Sequence, residues 1–159
     1  MQATDPISLD DRQAITERIT QLGRMLDEKR FDDAPSILAD EVVVQTPGGE
    51  ARGLDAVVAQ ASRTHTVRTQ HAISDVLIDL DGDRARARAN LIVTFAADPG
   101  AHLVVGDAVH PDPYLTLGEV YRFEVVRTDA GWRLARIASE RVWSSHTLPA
   151  RPTVGQTTD

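Results

Sequence analysis

The hydrophobic period changes once along this chain, and that change fixes the class of fold. Over the first part, apolar residues recur with helical spacing: Ile15, Ile19, Leu22 and Leu26 stand at i, i+4, i+7 and i+11. From about His71 onward the period is two. Arg84, Arg86 and Arg88 alternate with Ala85, Ala87 and Ala89, which gives a strand one wet face and one packed face. Helices followed by a run of antiparallel strands describe an α+β domain. A curved, mainly antiparallel sheet wrapped around about three N-terminal helices makes a cone-shaped barrel, and its interior is a natural small-molecule pocket.

Local punctuation places the elements. Ser8 reads as the cap of a first helix over residues 9–29, with Asp10 and Asp11 in its first turn. Residues 31–39 read as a short second helix with Pro35 near its start. Val42 to Thr46 is a strand stopped by Pro47-Gly48-Gly49, and residues 54–63 form a third helix. Strands over 71–80 and 84–95 join through Asp81-Gly82-Asp83, and strands over 118–127 and 132–143 join through residues 128–131. Between these hairpins, residues 97–116 are expected to form a long loop, a length that usually signals function. Residues 8–146 are expected to be a single domain, with flexible termini at 1–7 and 147–159.

Composition removes several kinds of chemistry. At 159 residues and 42% hydrophobic content the chain builds one core. No apolar run approaches the roughly 18–20 residues of a membrane span, and no basic-then-apolar leader is present, so a cytoplasmic protein without a membrane partner is expected. A net charge of −7 argues against a nucleic-acid partner. The absence of cysteine excludes thiol nucleophiles and thiolate metal sites. Lys29 is the only lysine, which nearly removes Schiff-base chemistry and leaves His, Asp, Glu, Tyr and Arg as working groups. His102, Asp107, His110 and Asp112 have no established metal-ligand spacing, so no metal or cofactor is expected. His110 and Tyr114 read as solvated loop residues, His65 and His146 as surface residues, and Trp132 and Trp143 as core or interface aromatics.

A family resemblance then enters. It is carried by Asp11-Arg12-Gln13-Ala14-Ile15 opening the first helix and by Leu26-Asp27 with Phe31-Asp32 at its end. Thr69-Gln70-His71-Ala72-Ile73 enters the sheet, Tyr121-Arg122-Phe123 and Gly131-Trp132-Arg133-Leu134 follow, and Trp143 closes it. In this order and spacing the chain resembles the SnoaL-like branch of the nuclear transport factor 2-like superfamily. That branch includes scytalone dehydratase, hexachlorocyclohexane dehydrochlorinase, bile-acid dehydratases and polyketide cyclases. The resemblance implies that His71, entering the sheet, pairs with Asp27, near the end of the first helix, as the catalytic dyad. The chain departs from scytalone dehydratase-like enzymes around the dyad: Leu26 replaces a tyrosine, Gln45-Thr46 stand near a second tyrosine position, and Ala96 near a second histidine.

The chemistry of such a pair follows from its groups. An imidazole with an ordinary pKa near 6.5 accepts a proton at neutral pH. A carboxylate on one ring nitrogen fixes the tautomer and leaves the other nitrogen as the base. Elimination, isomerisation and aldol-type cyclisation all begin with the proton transfer this allows. Tyr121, Gln45, Thr46, Asn90 and Arg24 are the candidate substrate-binding groups. The expected function is therefore a cofactor-independent, dehydratase-like lyase or isomerase acting on a hydrophobic cyclic small molecule. The alternatives are a non-catalytic binding or assembly module of the same fold, or aldol cyclisation of the polyketide-cyclase type. A homo-oligomer is expected because an uncovered sheet face is a hazard, and the resemblance implies a dimer or a trimer, the dimer preferred.

Overall fold

The computed structural model describes residues 6–146. The expected flexible segments at 1–5 and 147–159 lie outside the described residues, whereas Pro6 and Ile7 already belong to the first helix. Helix α1 spans Pro6–Asp27, a 3-10 turn spans Phe31–Asp33, α2 spans Ala34–Ile37 and α3 spans Leu54–Thr64. The strands are β1 (Leu38–Thr46), β2 (Gly49–Arg52), β3 (Arg68–Asp81), β4 (Arg84–Ala96), β5 (Leu103–Val105), β6 (Ala108–His110), β7 (Tyr114–Thr128) and β8 (Gly131–Ser144). No described helix is long and apolar enough to cross a membrane.

Six strands form one sheet in the order β2-β1-β8-β7-β4-β3. Every neighbouring pair is antiparallel except β1 and β8. The sheet is mixed and stays open, with β2 and β3 as its edges, so the α+β cone is a wrapped sheet and not a closed barrel. Bulges break the β3–β4 register between Ser74 and Leu77 and the β7–β8 register between Gly118 and Glu119. Such bulges bend a sheet. At the first, Asp75 takes a φ of 53°, and the Asn90 side chain donates to its Oδ2 at 2.7 Å. At the second, the Trp143 indole packs on Gly118, where a Cβ would stand 2.1 Å from Nε1.

The inner face follows the alternation read from the sequence. Ala85, Ala87, Ala89, Leu91, Val93 and Phe95 of β4 are buried in one core cluster with Leu117, Tyr121, Phe123 and Val125 of β7. Ile15, Ile19, Leu22 and Leu26 form the buried stripe of α1. Asp11 ties the other end of this helix to the β7–β8 hairpin, accepting from Trp132 Nε1 at 3.0 Å and from Arg127 Nη2 at 2.7 Å.

Several boundaries differ from the expectations. Pro6 starts α1, as proline suits a first turn, so Ser8 lies inside the helix and is not its cap. The second helix is only a 3-10 turn and four residues of α2, because β1 begins at Leu38. Thr46 to Gly49 form a hairpin turn into β2, a strand the sequence reading lacked. The long loop is partly ordered by the β5–β6 hairpin, anchored by the fully buried Leu103. Tyr114 belongs to β7.

Candidate functional site

Asp27 is the last residue of α1, where its charge opposes the helix dipole, so the site must compensate for its position. Strand β3 does so. Asp27 Oδ1 accepts from His71 Nδ1 at 2.6 Å and from the Thr69 hydroxyl at 3.0 Å, while Oδ2 accepts the His71 backbone N–H at 2.9 Å. Gly23, one turn before Asp27, makes this approach close: a Cβ there would stand 3.2 Å from Ile73 Cδ1 and 3.5 Å from His71 Cβ. A mid-helix glycine costs helix stability, and here it lets α1 settle onto β3. Burial raises the Asp27 carboxyl, but the His71 hydrogen bonds and charge and the Thr69 hydroxyl outweigh it and hold the group below its ordinary value.

The pair fixes the imidazole. With Nδ1–H given to Asp27, the remaining nitrogen, Nε2, carries the lone pair, and among the described residues no hydrogen bond engages it. The His71 side chain is 3% exposed and that of Asp27 22%. A cleft of about 390 Å³ opens on the Asp27 side, lined by Asp27, Lys29, Thr66 to Thr69, Ala96 and Asp98. Thr69 and His71 share one face of β3, so the imidazole stands one side-chain step behind the cleft wall, about 7 Å along the strand.

Around the dyad the interior is more polar than a simple core. The His65 ring stands 5.3 Å from that of His71 and 5.9 Å from Phe95, and its Nδ1 meets the Ala61 carbonyl at 2.9 Å. The reading of His65 as a surface residue is therefore corrected: the end of α3 turns it inward. Burial pushes its pKa down to about 4, offset in part by the Ala61 bond. The sign of the consequence is set by linkage. An unfolded His65 binds a proton below about 6.5, whereas the folded one resists until about 4. Its contribution is present above the unfolded value and lost as pH falls through that window. Urea unfolding of wild type is expected to show a stability decline between pH 6.5 and 4, and His65→Phe to lose it.

The remaining sequence candidates separate. Tyr121 is buried on the inner face; burial, then the charges of Glu119 and Asp27, hold its phenol well above its usual range. Glu119, also buried, lies 3.6 Å from Arg141 Nε. Gln45, Thr46, Asn90 and Arg24 are not brought to the dyad. Gln45 is exposed and accepts from Arg136 at 2.9 Å, and Thr46 Oγ1 receives the Gly48 N–H in the β1–β2 turn. Asn90 faces the β3 bulge, and Arg24 bonds Glu28 on the outside of α1 at 3.0 Å. Strand parity turns Asn90 away from the face of its buried neighbours Ala89 and Leu91, and Arg24 stands on the solvent side of α1. Trp132 is core, whereas Trp143 is half exposed on the outer face. His146 lies 3.2 Å from Asp112.

Gly23, Lys29 and His65 are the residues the sequence reading missed. A glycine inside an otherwise good helix was the available signal for the first. No local pattern marks His65.

With this geometry in place, comparison with known proteins adds a family and a fold. A sequence model described as the SnoaL-like domain matches residues 8–138. No curated protein sequence matches the chain. Among solved structures, the Kfla4162 protein from Kribbella flavida is similar at TM-score 0.76 and 21% identity, covering 86% of this chain and 94% of that one. A scytalone dehydratase-like protein from Novosphingobium aromaticivorans is similar at TM-score 0.72 and 19% identity, covering 94% and 97%. A type 2 hexachlorocyclohexane dehydrochlorinase, LinA, is similar at TM-score 0.73 and 15% identity, covering 90% and 97%. At these identities the likeness is one of fold.

Proposed function

The chain belongs to the SnoaL-like domain family, and from that premise we propose that it is a cofactor-independent lyase or isomerase using His71 and Asp27 as a general base on a small, hydrophobic cyclic molecule. The observation that carries this reading is the 2.6 Å contact that engages His71 Nδ1 and leaves Nε2 for a substrate proton. Two of the similar structures bear names that denote loss of water and loss of hydrogen chloride. Both reactions need a proton removed from carbon, the step this pair can perform. The cleft beside Asp27 supports entry from that side, past Thr69 and Lys29. Tyr121 is the one sequence-derived binding candidate buried on the inner face, and burial, with the charges of Glu119 and Asp27, keeps its phenol a neutral donor. The exposed Ile92, Val142 and Trp143 on the outer sheet face support a homo-oligomer, a dimer first.

A second reading rests on the near-complete burial of His71. The same hydrogen bonds clamp α1 to β3 in a binding module that does no chemistry. A screen of cyclic β-hydroxy ketones for elimination separates the two. The enzyme reading expects product formation that falls about 10²–10⁴-fold in His71→Ala, the usual worth of a general base. Binding that survives His71→Ala, with no elimination by the wild type, selects the binding module.

A further inference from the structure

The outer face of the sheet carries a groove that the dyad does not use. It has a volume of about 490 Å³ and crosses β3, β4, β7 and β8, with Arg86, Arg88, Arg122 and Arg136 in its lining. The strand register sorts its side chains into two rows. In the first, Asp79, Arg86, Glu124 and Arg136 stand on neighbouring strands, so each cation has a carboxylate beside it. In the second, the order is Leu77, Arg88, Arg122 and Ala138: two cations side by side between two apolar residues.

The second row is costly as it stands. Directly opposed residues have Cβ atoms about 5 Å apart, and like charges there destabilise a sheet. Arg88 makes no hydrogen bond or ion pair with another described residue. Arg122 lies 3.9 Å from Glu140, but both side chains are more than half exposed, and such a contact is worth little in water. Leu77, beside Arg88, is 66% exposed. Two uncompensated cations next to a bare leucine, in a chain of net charge −7, point to an anion with an apolar part.

A phosphate monoester meets these demands. Near neutral pH it carries close to two negative charges on three terminal oxygens, and each guanidinium can give it two parallel N–H bonds. The four arginines outnumber the carboxylates of Asp79 and Glu124 by two, which matches that charge. A second copy of the chain fits this row less well. Stacked face to face about a two-fold axis centred on the row, it would set arginine against arginine. The apolar end of the outer face, at Ile92, stands about 13 Å along β4 from Arg88 and stays open to a second copy.

We propose that the outer groove binds a phosphate monoester with an apolar body, its phosphate held between Arg88 and Arg122 and its body against Leu77. The site lies on the opposite face of the sheet from His71, so it stands apart from the reaction proposed above.

The test is calorimetric titration of the full chain with phenyl phosphate and with inorganic phosphate. Wild type is expected to bind phenyl phosphate saturably, more tightly than inorganic phosphate, and less tightly as salt is raised. Arg88→Gln and Arg122→Gln are each expected to weaken binding about tenfold or more, the worth of a charge-assisted hydrogen bond. Neither is expected to lower Tm, because each removes a repulsion. Arg84→Gln, at an exposed arginine of β4 outside the groove, is expected to bind as wild type, and so is His71→Ala. Leu77→Ser is expected to weaken phenyl phosphate while leaving inorganic phosphate unchanged. No saturable binding at millimolar phenyl phosphate, or equal affinity in wild type, Arg88→Gln and Arg122→Gln, overturns the site. A loss in Arg84→Gln as large as in Arg88→Gln does so too, since it marks a diffuse positive face. Loss of binding in His71→Ala places the probe in the cone instead. Equal affinity of wild type for the two ligands overturns the apolar body. Sedimentation in which Arg88→Gln dissociates a wild-type oligomer that phenyl phosphate leaves untouched assigns the groove to a second copy and overturns the proposal.

Discussion

Asp27→Asn is expected to lower turnover by about 10⁴-fold, the scale seen when the carboxylate of a catalytic triad becomes an amide. The reason lies in donor counting. Asp27 accepts three hydrogen bonds, from His71 Nδ1, the His71 backbone N–H and the Thr69 hydroxyl. An asparagine offers one accepting oxygen and one donating NH₂. If the oxygen faces Nδ1, the NH₂ points at the backbone N–H of His71, donor against donor. If it faces the backbone, the NH₂ points at Nδ1 and favours the tautomer that protonates Nε2, which removes the base. Either arrangement leaves a partly buried donor unmet, at a cost of about 1–3 kcal/mol in stability.

The acid limb of the stability curve checks the same substitution. The folded Asp27 carboxyl lies below its ordinary value. Its contribution is therefore present above the unfolded carboxylate pKa, near 3.9, and is lost as pH falls below it. The asparagine variant is expected to lack that limb while keeping the His65 limb at higher pH. Turnover within tenfold of wild type would remove Asp27 from the mechanism. An unchanged acid limb would remove it from the clamp.

The fold was legible because two periodicities dominate the chain. Ile15, Ile19, Leu22 and Leu26, and the alanines of β4, are buried where their spacing puts them. Boundaries were less legible. The start of α1 depends on Pro6, and the end of the second helix on a parallel pairing of Leu38 with Leu134 that no local pattern announces. For the candidate site, the His71–Asp27 pairing came from resemblance, and its geometry depends on Gly23 bringing two distant segments together. His65 and Lys29 could not be read locally. One is set by where α3 ends relative to β4, the other by a backbone twist after Asp27. Gln45, Thr46, Asn90 and Arg24 were chosen by chemical type, while strand parity and helix face decide position.

Leu134→Ala is expected to give a large loss of stability, about 3 kcal/mol or more within the usual 2–5 for a buried leucine. Leu134 is fully buried on β8, pairing with Leu38 on one side and Val125 on the other. Both neighbours are themselves buried and held by strand hydrogen bonds, so the space left behind cannot close by a local shift. Ile92→Ala on the outer face, where the side chain is 49% exposed, is expected to cost far less. Strand β8 lies three strand spacings from β3 in the sheet, about 14 Å, so the His71–Asp27 geometry should not sense the missing methyls. Activity per folded molecule is therefore expected to match wild type at temperatures where Leu134→Ala remains folded, while its denaturant midpoint falls. A parallel loss of activity and stability would mean that the dyad is held by the packing of the whole cone and not by the local contacts of Gly23, Asp27 and Thr69.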